Sequence, residues 1–383
     1  MTTPVQGTDD TATSAPMDEA PVELAEPTGV PRWIVLAVIG GALAILYLAA
    51  FLLPINEQVI LRDALRAATG VTAGVYALAA VGLNLHFGYT GLLNFGHAGF
   101  LLVGAYGMGV TVSTFGGPLW LGILVGFACS AVLALLLGIP TLRLRADYLA
   151  IVTIAAAEIV RLLTLSQFAT PVTRGPFGLS GFARTFFDFN PIPEGTHGFW
   201  VFVYSERRLW TLILVWGLVL LTTLLVFALA RSPWGRVLKS IRDDEDAAKS
   251  LGKNVFAYKL QSLVVGGLIG GLAGMMWAIH LQTTHPNNFM PILTFFFFTI
   301  VILGGPGSSI GPIVGSMLFW FLLQGMISFL RQASSAGIIS PEVFGTETIG
   351  AMRFVLVGAG LLLLLVYRPQ GLFGKRREMQ LDV

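Results

Sequence analysis

The sequence predicts an all-α fold: a polytopic membrane helix bundle of about ten transmembrane helices with Gly-rich helix breaks. Three observations predict it. Hydrophobic residues make up 55% of the 383 positions and charged residues 11%, with a mean hydropathy of +0.78, whereas soluble domains carry about 25% charged residues. No Asp, Glu, Lys or Arg occurs in residues 67–142 or 260–330; one helical crossing takes about 20 residues, so each run crosses several times. Glycine and proline then cut these runs into lengths that fit single spans.

Residues 1–32 are rich in Thr, Pro and Ala and carry Asp9, Asp10, Asp18, Glu19, Glu23 and Glu26. This stretch reads as a disordered acidic N-terminal tail, because it cannot bury enough apolar surface to offset its ordering entropy. A cleaved leader would begin with basic residues, so the first span, 33–53, is expected to stay as an anchor. Further spans follow at 68–87, 92–111, 119–142, 148–165, 209–230, 260–281, 292–303, 309–330 and 349–367, completing a membrane domain over 33–367. The first three of these lie in the charge-free run 67–142, and 148–165 follows the charged stretch Arg143 to Asp147. Between 166 and 208 the segment TRGPFGLSGF is turn-rich and reads as a partly ordered connection over the helix ends.

Orientation follows from the basic residues. Arg231, Arg236, Lys239, Arg242, Lys249, Lys253 and Lys259 bracket the acidic cluster Asp243, Asp244, Glu245 and Asp246 in a loop over 231–259. That basic excess places the loop in the cytoplasm. Four later spans return the chain to the same side, where the basic C-terminal tail 368–383 carries Arg368, Lys375, Arg376 and Arg377. Counting backwards puts the N-terminus there too. A net charge of +2 concentrated in loops speaks against a nucleic-acid partner.

Glycine marks three places. In GGLIGGLAG, Gly266, Gly270 and Gly274 recur every fourth residue, giving a helix face onto which a neighbour can close. In GGPGSSIGPIVG, the residues Gly304, Gly305, Pro306, Gly307, Gly311 and Pro312 break the chain between two short apolar runs. The segment HFGYTGLLNFGHAGFLLVGAYG has the same texture, with Asn84, Asn94 and His97 as its polar members or neighbours. Paired interrupted segments in a membrane bundle point to a polar route for solute, which makes these three residues candidates for it.

Glu158 and Arg161 stand three residues apart in an apolar span. A lone charge there costs roughly 2.5–3.5 kcal/mol, so each is the natural partner of the other. They form either a structural ion pair or part of a polar path. The histidines lack the HExxH spacing and any accompanying thiol or paired carboxylates, so no metal site and no cofactor is expected. Cys129 stands alone, which excludes an intrachain disulfide. With no GxxxxGK[ST] phosphate loop in the sequence, ATP hydrolysis is expected in a separate subunit.

The charged loop holds its own helix. Ala247, Ala248 and Leu251 form a small apolar ridge ended by Gly252, and Val237, Leu238 and Ile241 give the preceding stretch an apolar face. A short helix with such a ridge outside the membrane docks onto a partner.

These segments together resemble the membrane permease subunits of branched-chain amino-acid ABC transporters, of the LivM type. The resemblance runs from about 76 to 374 and rests on GLNLHFGYTGLLNFGHAGFLLVGAY, YLAIVTIAAAEIVRLL, GRVLKSIRDDEDAAKSLGKN followed by YKL, ILGGPGSSIGPIVG and RPQGLFG, in that order. It implies alternating access through a pore shared with a second permease subunit. Two cytoplasmic ATP-binding subunits would drive it, and an extracytoplasmic solute-binding protein would supply the amino acid. The charged loop is similar to the EAA loop of ABC importers: Arg242, Asp243, Asp244, Glu245, Ala247, Ala248, Leu251 and Gly252 then form the ATPase-coupling segment, with Asp246 where the pattern usually has alanine. The implied location is the bacterial plasma membrane and the implied substrates are leucine, isoleucine and valine. Urea or a short amide is the alternative cargo, since no residue can be tied to an aliphatic side chain. A stand-alone secondary transporter or channel is the alternative of another class, and it would need intramembrane carboxylates, of which only Glu158 is offered.

Overall fold

The computed structural model describes residues 56–337 apart from Arg145, Phe199 and Trp200, together with isolated positions between 348 and 359 and the segment 371–373. The acidic tail 1–32, the span 33–53, most of the span 349–367 and nearly all of the tail 368–383 lie outside the described residues. The protein is a polytopic helical bundle. Its main helices are α1 (Glu57–Ala68), α2 (Val71–Asn84), α3 (His97–Ser113), α4 (Leu119–Thr141), α5 (Ala146–Leu165), α6 (Glu206–Arg231), α7 (Pro233–Asp243), α8 (Glu245–Ser250), α9 (Val255–Leu281), α10 (Ile292–Gly304) and α11 (Gly311–Ser335).

Each of the eight expected spans within the described residues coincides with one helix. Among the described residues, seven segments are long and apolar enough to cross a membrane, and α3 is a shorter apolar helix. Two boundaries move for local reasons. The span expected from 92 begins only at His97, because Gly91 adopts φ +74° and Asn94 Oδ1 accepts from Gly96 N at 3.0 Å, turning the chain before the helix can start. The span expected from 68 loses Ala68 to α1, and Thr69 and Gly70 separate the two helices. The amphipathic α1 is capped by Asn56 and buries Ile60, Ala64 and Ala68 against α11. The sequence reading did not anticipate it, because its twelve residues fall below spanning length.

α2 and α9 form the centre. Every residue of α2 except Thr72 is buried, and α9 packs against α2, α3 and α4. Small residues allow this. A Cβ on Gly274 would overlap the backbone carbonyl of Leu101 on α3, so the two helices meet backbone to backbone. Tyr76 of α2 fills the space towards α9, α10 and α11 with edge-on contacts to Trp277, Phe297 and Trp320 at 5.1–5.6 Å between ring centroids. Peripheral helices face outward with apolar side chains: Leu124, Leu136 and Ile139 on α4, Ile151, Ile159 and Leu163 on α5, Leu220 and Leu221 on α6. A bilayer solvates such surfaces, whereas water would not.

At the end of the bundle away from α7 and α8, the connection between α5 and α6 folds over the helix ends. It carries β1 (Leu179–Ser180), β2 (Thr196–His197) and β3 (Tyr204–Ser205). β1 pairs antiparallel with β4 (Thr283–Thr284), which follows α9, and β2 pairs with β3. Phe182 and Leu179 are fully buried beneath it, so the connection is packed down rather than free.

Candidate functional site

The charged loop folds into two helices set at an angle. Ser232 caps α7 through a hydrogen bond from Gly235 N, and Pro233 starts it with a φ already helical. Leu238 and Ile241 turn into the protein, 0% and 3% exposed. Asp244 then leaves helical geometry and caps α8, its Oδ1 accepting from the backbone N–H groups of Asp246 and Ala247, both at 2.9 Å. α8 stops where Gly252 takes φ +74°, a conformation costly for residues with a Cβ.

Ala248 is 3% exposed and packs with Ile241 and Val255 in a small apolar core joining α7, α8 and the start of α9. Leu251 is 77% exposed. The ridge expected over Ala247, Ala248 and Leu251 is therefore divided, with Ala248 facing in and Ala247 and Leu251 facing out.

Charges tie α8 to α9. Glu245 accepts from Lys259, near the start of α9, and from Lys249 at 3.1 Å. Burial draws the Glu245 carboxyl upward, but the hydrogen bonds from Lys259 and Lys249 outweigh this and hold it below the usual carboxylate range. Because the folded value is depressed, the stabilisation is complete above the unfolded pKa and is lost as pH falls through the folded one. Hydrogen-exchange protection of the α8 amides, corrected for intrinsic rates, should be flat across neutral pH and drop only below the ordinary carboxylate range. A fall between pH 8 and 6, which is an approximate window for histidine rather than carboxylate titration, would rule this out.

Arg242 points the other way, into the bundle. Its Nη1 donates to the carbonyl of Gly88 at 2.6 Å, while the same guanidinium pairs with Asp243 at 3.1 Å. Gly91 makes room for the Arg242 stem, which a Cβ there would meet at 3.1 Å. The acceptor lies in a π-helical turn, Leu85–Tyr89, that continues α2. Beside Arg242 is a cavity of about 220 Å3 with Leu92, Leu142 and Leu149 among its apolar lining and Asp243 and Lys259 among its charged lining.

Both interrupted segments meet here. Asn84 Nδ2 donates to Ser308 O and Asn84 Oδ1 accepts from Gly307 N, each at 2.9 Å. Tyr89 Oη and Ser309 Oγ lie 2.8 Å apart. α10 ends at Gly304, Gly305 and Gly307 take φ +102° and +75°, and α11 starts at Gly311 with Pro312 in its first turn. The segment 371–373 lies on this break, with Leu372 N and Phe373 N donating to the carbonyls of Leu303 and Gly304 at 3.0 Å.

The same residues carry a likeness to known proteins. A family profile described as the permease component of branched-chain amino acid transport systems matches residues 66–366. The chain belongs to that family. Among its relatives, the high-affinity branched-chain amino acid transport system permease protein LivM of Salmonella typhimurium is 30% identical over 313 residues, covering 79% of this chain and 68% of the relative. The probable permease LivM of Methanocaldococcus jannaschii is 26% identical over 343 residues, 79% of this chain and 91% of the relative. LivH of Escherichia coli, named as a permease protein of the same kind of system, is 25% identical over 325 residues, 80% of this chain and 94% of the relative. No solved structure matches the chain.

The remaining candidate residues of the permease fall into two groups. Asn94 and His97 are fully buried with His86 between α2, α3 and α9. His86 Nε2 lies 3.2 Å from the carbonyl of Leu263, which assigns it the proton and leaves Nδ1 to accept from Asn94 Nδ2 at 3.2 Å. His97 Nε2 lies 3.0 Å from the carbonyl of Ala79 and its ring packs over Gly270. These three side chains join helices rather than line the cavity beside Arg242. Among the described residues, no three His, Cys, Asp or Glu side chains gather as a metal site would need.

Glu158 and Arg161 sit apart from this cluster. Arg161 grips both carboxylate oxygens, Nε to Oε2 at 2.8 Å and Nη2 to Oε1 at 2.5 Å, and its Nη1 donates to Asn287 Oδ1 at 2.8 Å. The pair thus ties α5 to the 3-10 turn Pro286–Phe289 ahead of α10. The sequence marks Gly88 as part of a Gly-rich segment and Lys259 as one base of the charged loop without giving either a partner, and it does not mark Ser308; the partners of Gly88 and Ser308 lie 154 and 224 residues away.

Proposed function

We propose that this permease forms half of the translocation pathway for branched-chain amino acids in an ABC importer, with α7 and α8 gripped by a cytoplasmic ATP-binding subunit. The reading places a second permease of the same family across the pore, two ATP-hydrolysing subunits beneath it and a solute-binding protein on the opposite face. Both chain ends and the α7–α8 unit then lie in the cytoplasm of a cell bounded by this plasma membrane, in keeping with the basic residues of both segments.

One observation carries it. A leucine 77% exposed at the C-terminal cap of a helix whose other side is fixed by its own small core, Ile241, Ala248 and Val255, is a preformed contact awaiting a partner surface. Preorganisation of this kind reduces the entropy lost on binding.

Co-purification of the permease with an ATP-binding subunit of the same transport system tests the docking. Leu251→Glu removes the apolar contact and leaves the inner core alone, and capture should fall about tenfold or more, the equivalent of burying one leucine. Undiminished capture would count against α8 as the contact. Purified permease alone is expected to hydrolyse no ATP, and uptake into liposomes on an ion gradient without nucleotide would replace the importer reading with that of a secondary transporter. Leucine against urea, offered to the cognate solute-binding protein in a calorimeter, decides the cargo.

A further inference from the structure

We infer that Arg242 and Asn84 act in series as positioning residues, passing a displacement of α7 and α8 first to the π-helical turn Leu85–Tyr89 and then to the break between α10 and α11. The inference rests on the docking reading of α7 and α8.

The path is continuous in hydrogen bonds. Arg242 Nη1 holds the Gly88 carbonyl at 2.6 Å, and four residues earlier on the same winding Asn84 holds Gly307 N and Ser308 O at 2.9 Å each. Gly88 fills the space between: a Cβ there would overlap both the Asn84 side chain and Gly307 N. The turn and the break therefore touch with no side chain to cushion them. Tyr89 and Ser309 add a parallel bond at 2.8 Å, and Lys239 of α7 stands 5.8 Å from the Tyr89 ring centroid. α7 thus addresses two consecutive residues of the turn.

The winding of the turn supplies the element that can change state. A π turn closes its hydrogen bonds from i to i+5, one residue wider than an α-helix, and is frequent at functional sites. Its loosened carbonyls are individually satisfied. Leu85 O accepts from Thr90 Oγ1 at 2.9 Å, His86 O from Leu92 N at 2.8 Å, Phe87 O from Gly91 N at 3.2 Å, and Gly88 O from Arg242. Two donors come from outside the turn and its immediate sequel: Arg242 of α7, and Ser262 of α9, whose Oγ donates to Leu85 O at 3.3 Å; of the two, Arg242 belongs to the unit that docks. Rewinding to α geometry would rotate Gly88 O away from Arg242 and swing Asn84 off the break, so the position of Arg242 biases which winding is held. A guanidinium suits the task, because its planar fork fixes direction. The far end is equally defined, since Gly304 and Leu303 are themselves clasped by Phe373 N and Leu372 N.

The complete transporter, reconstituted with its partner permease, ATP-binding subunits and binding protein in proteoliposomes, tests this by measuring uptake and ATP hydrolysis in one sample. Asn84→Ala and Arg242→Lys should each lower solute carried per ATP hydrolysed by about tenfold, the loss expected when a hydrogen bond made only along the working path disappears. Tyr89→Phe should lower it less. A merely structural role would reduce uptake and hydrolysis in proportion, leaving the ratio unmoved, and that result overturns the inference. Should Asn84→Ala fail to fold, Asn84→Asp keeps the acceptor for Gly307 N and removes the donor to Ser308 O, and the same ratio decides. If the unaltered permease fails to capture its ATP-binding subunit, the docking reading falls and takes this inference with it; capture intact with an unmoved ratio sinks this inference alone.

Discussion

Valine at Gly274 is expected to cost the bundle about 3 kcal/mol or more, at or beyond the upper end of ordinary overpacking penalties. The Cβ it adds would overlap the Leu101 carbonyl of α3. A backbone atom in the middle of a helix cannot step aside as a side chain can, so relief requires α9 and α3 to separate. Separation in turn unpacks Gly267 from Phe100, Gly270 from His97 and Gly271 from Gly104, all contacts on the same face of α9. Gly217 on α6 provides the matched control: nothing lies within 4 Å of where its Cβ would stand. Gly217→Val should change stability by no more than about 0.5 kcal/mol, as surface substitutions do. Thermal unfolding in detergent compares the two directly. Equal midpoints would mean that α9 and α3 are not packed backbone to backbone.

That contrast shows what sequence could deliver. Apolar runs, charge-free in all but the span with Glu158 and Arg161, located eight helices, because the hydrocarbon core sets a length and disfavours charge in a way that local composition reveals. The four-residue glycine spacing in GGLIGGLAG marked a packing face for the same reason: the helical repeat is local. Gly217 carries no such pattern, and it is the one glycine of the pair that faces nothing. The charged loop was legible as a helix with a glycine stop, and Asp244 as its cap follows local rules. Which way Ala248 and Leu251 face did not, since that depends on how α8 lies against Val255 and Tyr258.

The contact between the two helix breaks was the least legible. Asn84 stood out as a polar residue in apolar surroundings, and GGPG as a break, but their pairing spans 223 residues. Similar glycine texture hinted that the two segments belong together. Only the fold shows that one asparagine satisfies a donor and an acceptor that the break leaves open, as buried backbone groups require in a membrane.

Arg161→Leu is expected to destabilise the permease by roughly 2–3 kcal/mol, because it strands the Glu158 carboxylate in an apolar helix, where insertion scales price a charge at about 2.5–3.5 kcal/mol and protonation recovers part of it. Glu158→Leu should cost a similar amount, since it leaves a guanidinium whose side chain is only 10% exposed with Asn287 alone. The double variant removes both charges and their desolvation together, and replacing even a fully buried pair by apolar residues is often close to neutral, so this half-buried one should be no worse. Stability should therefore return to within about 1 kcal/mol of the unaltered chain, a coupling that a double-mutant cycle on unfolding midpoints measures. Uptake separates the two roles left open by the sequence. Arg161 engages both carboxylate oxygens of Glu158 together with Asn287 Oδ1, as a tie between two elements does, and the double variant should transport normally. A double variant that folds as well as the unaltered chain yet carries nothing would move Glu158 and Arg161 from a tie between α5 and the Pro286–Phe289 turn to the wall of the pathway itself.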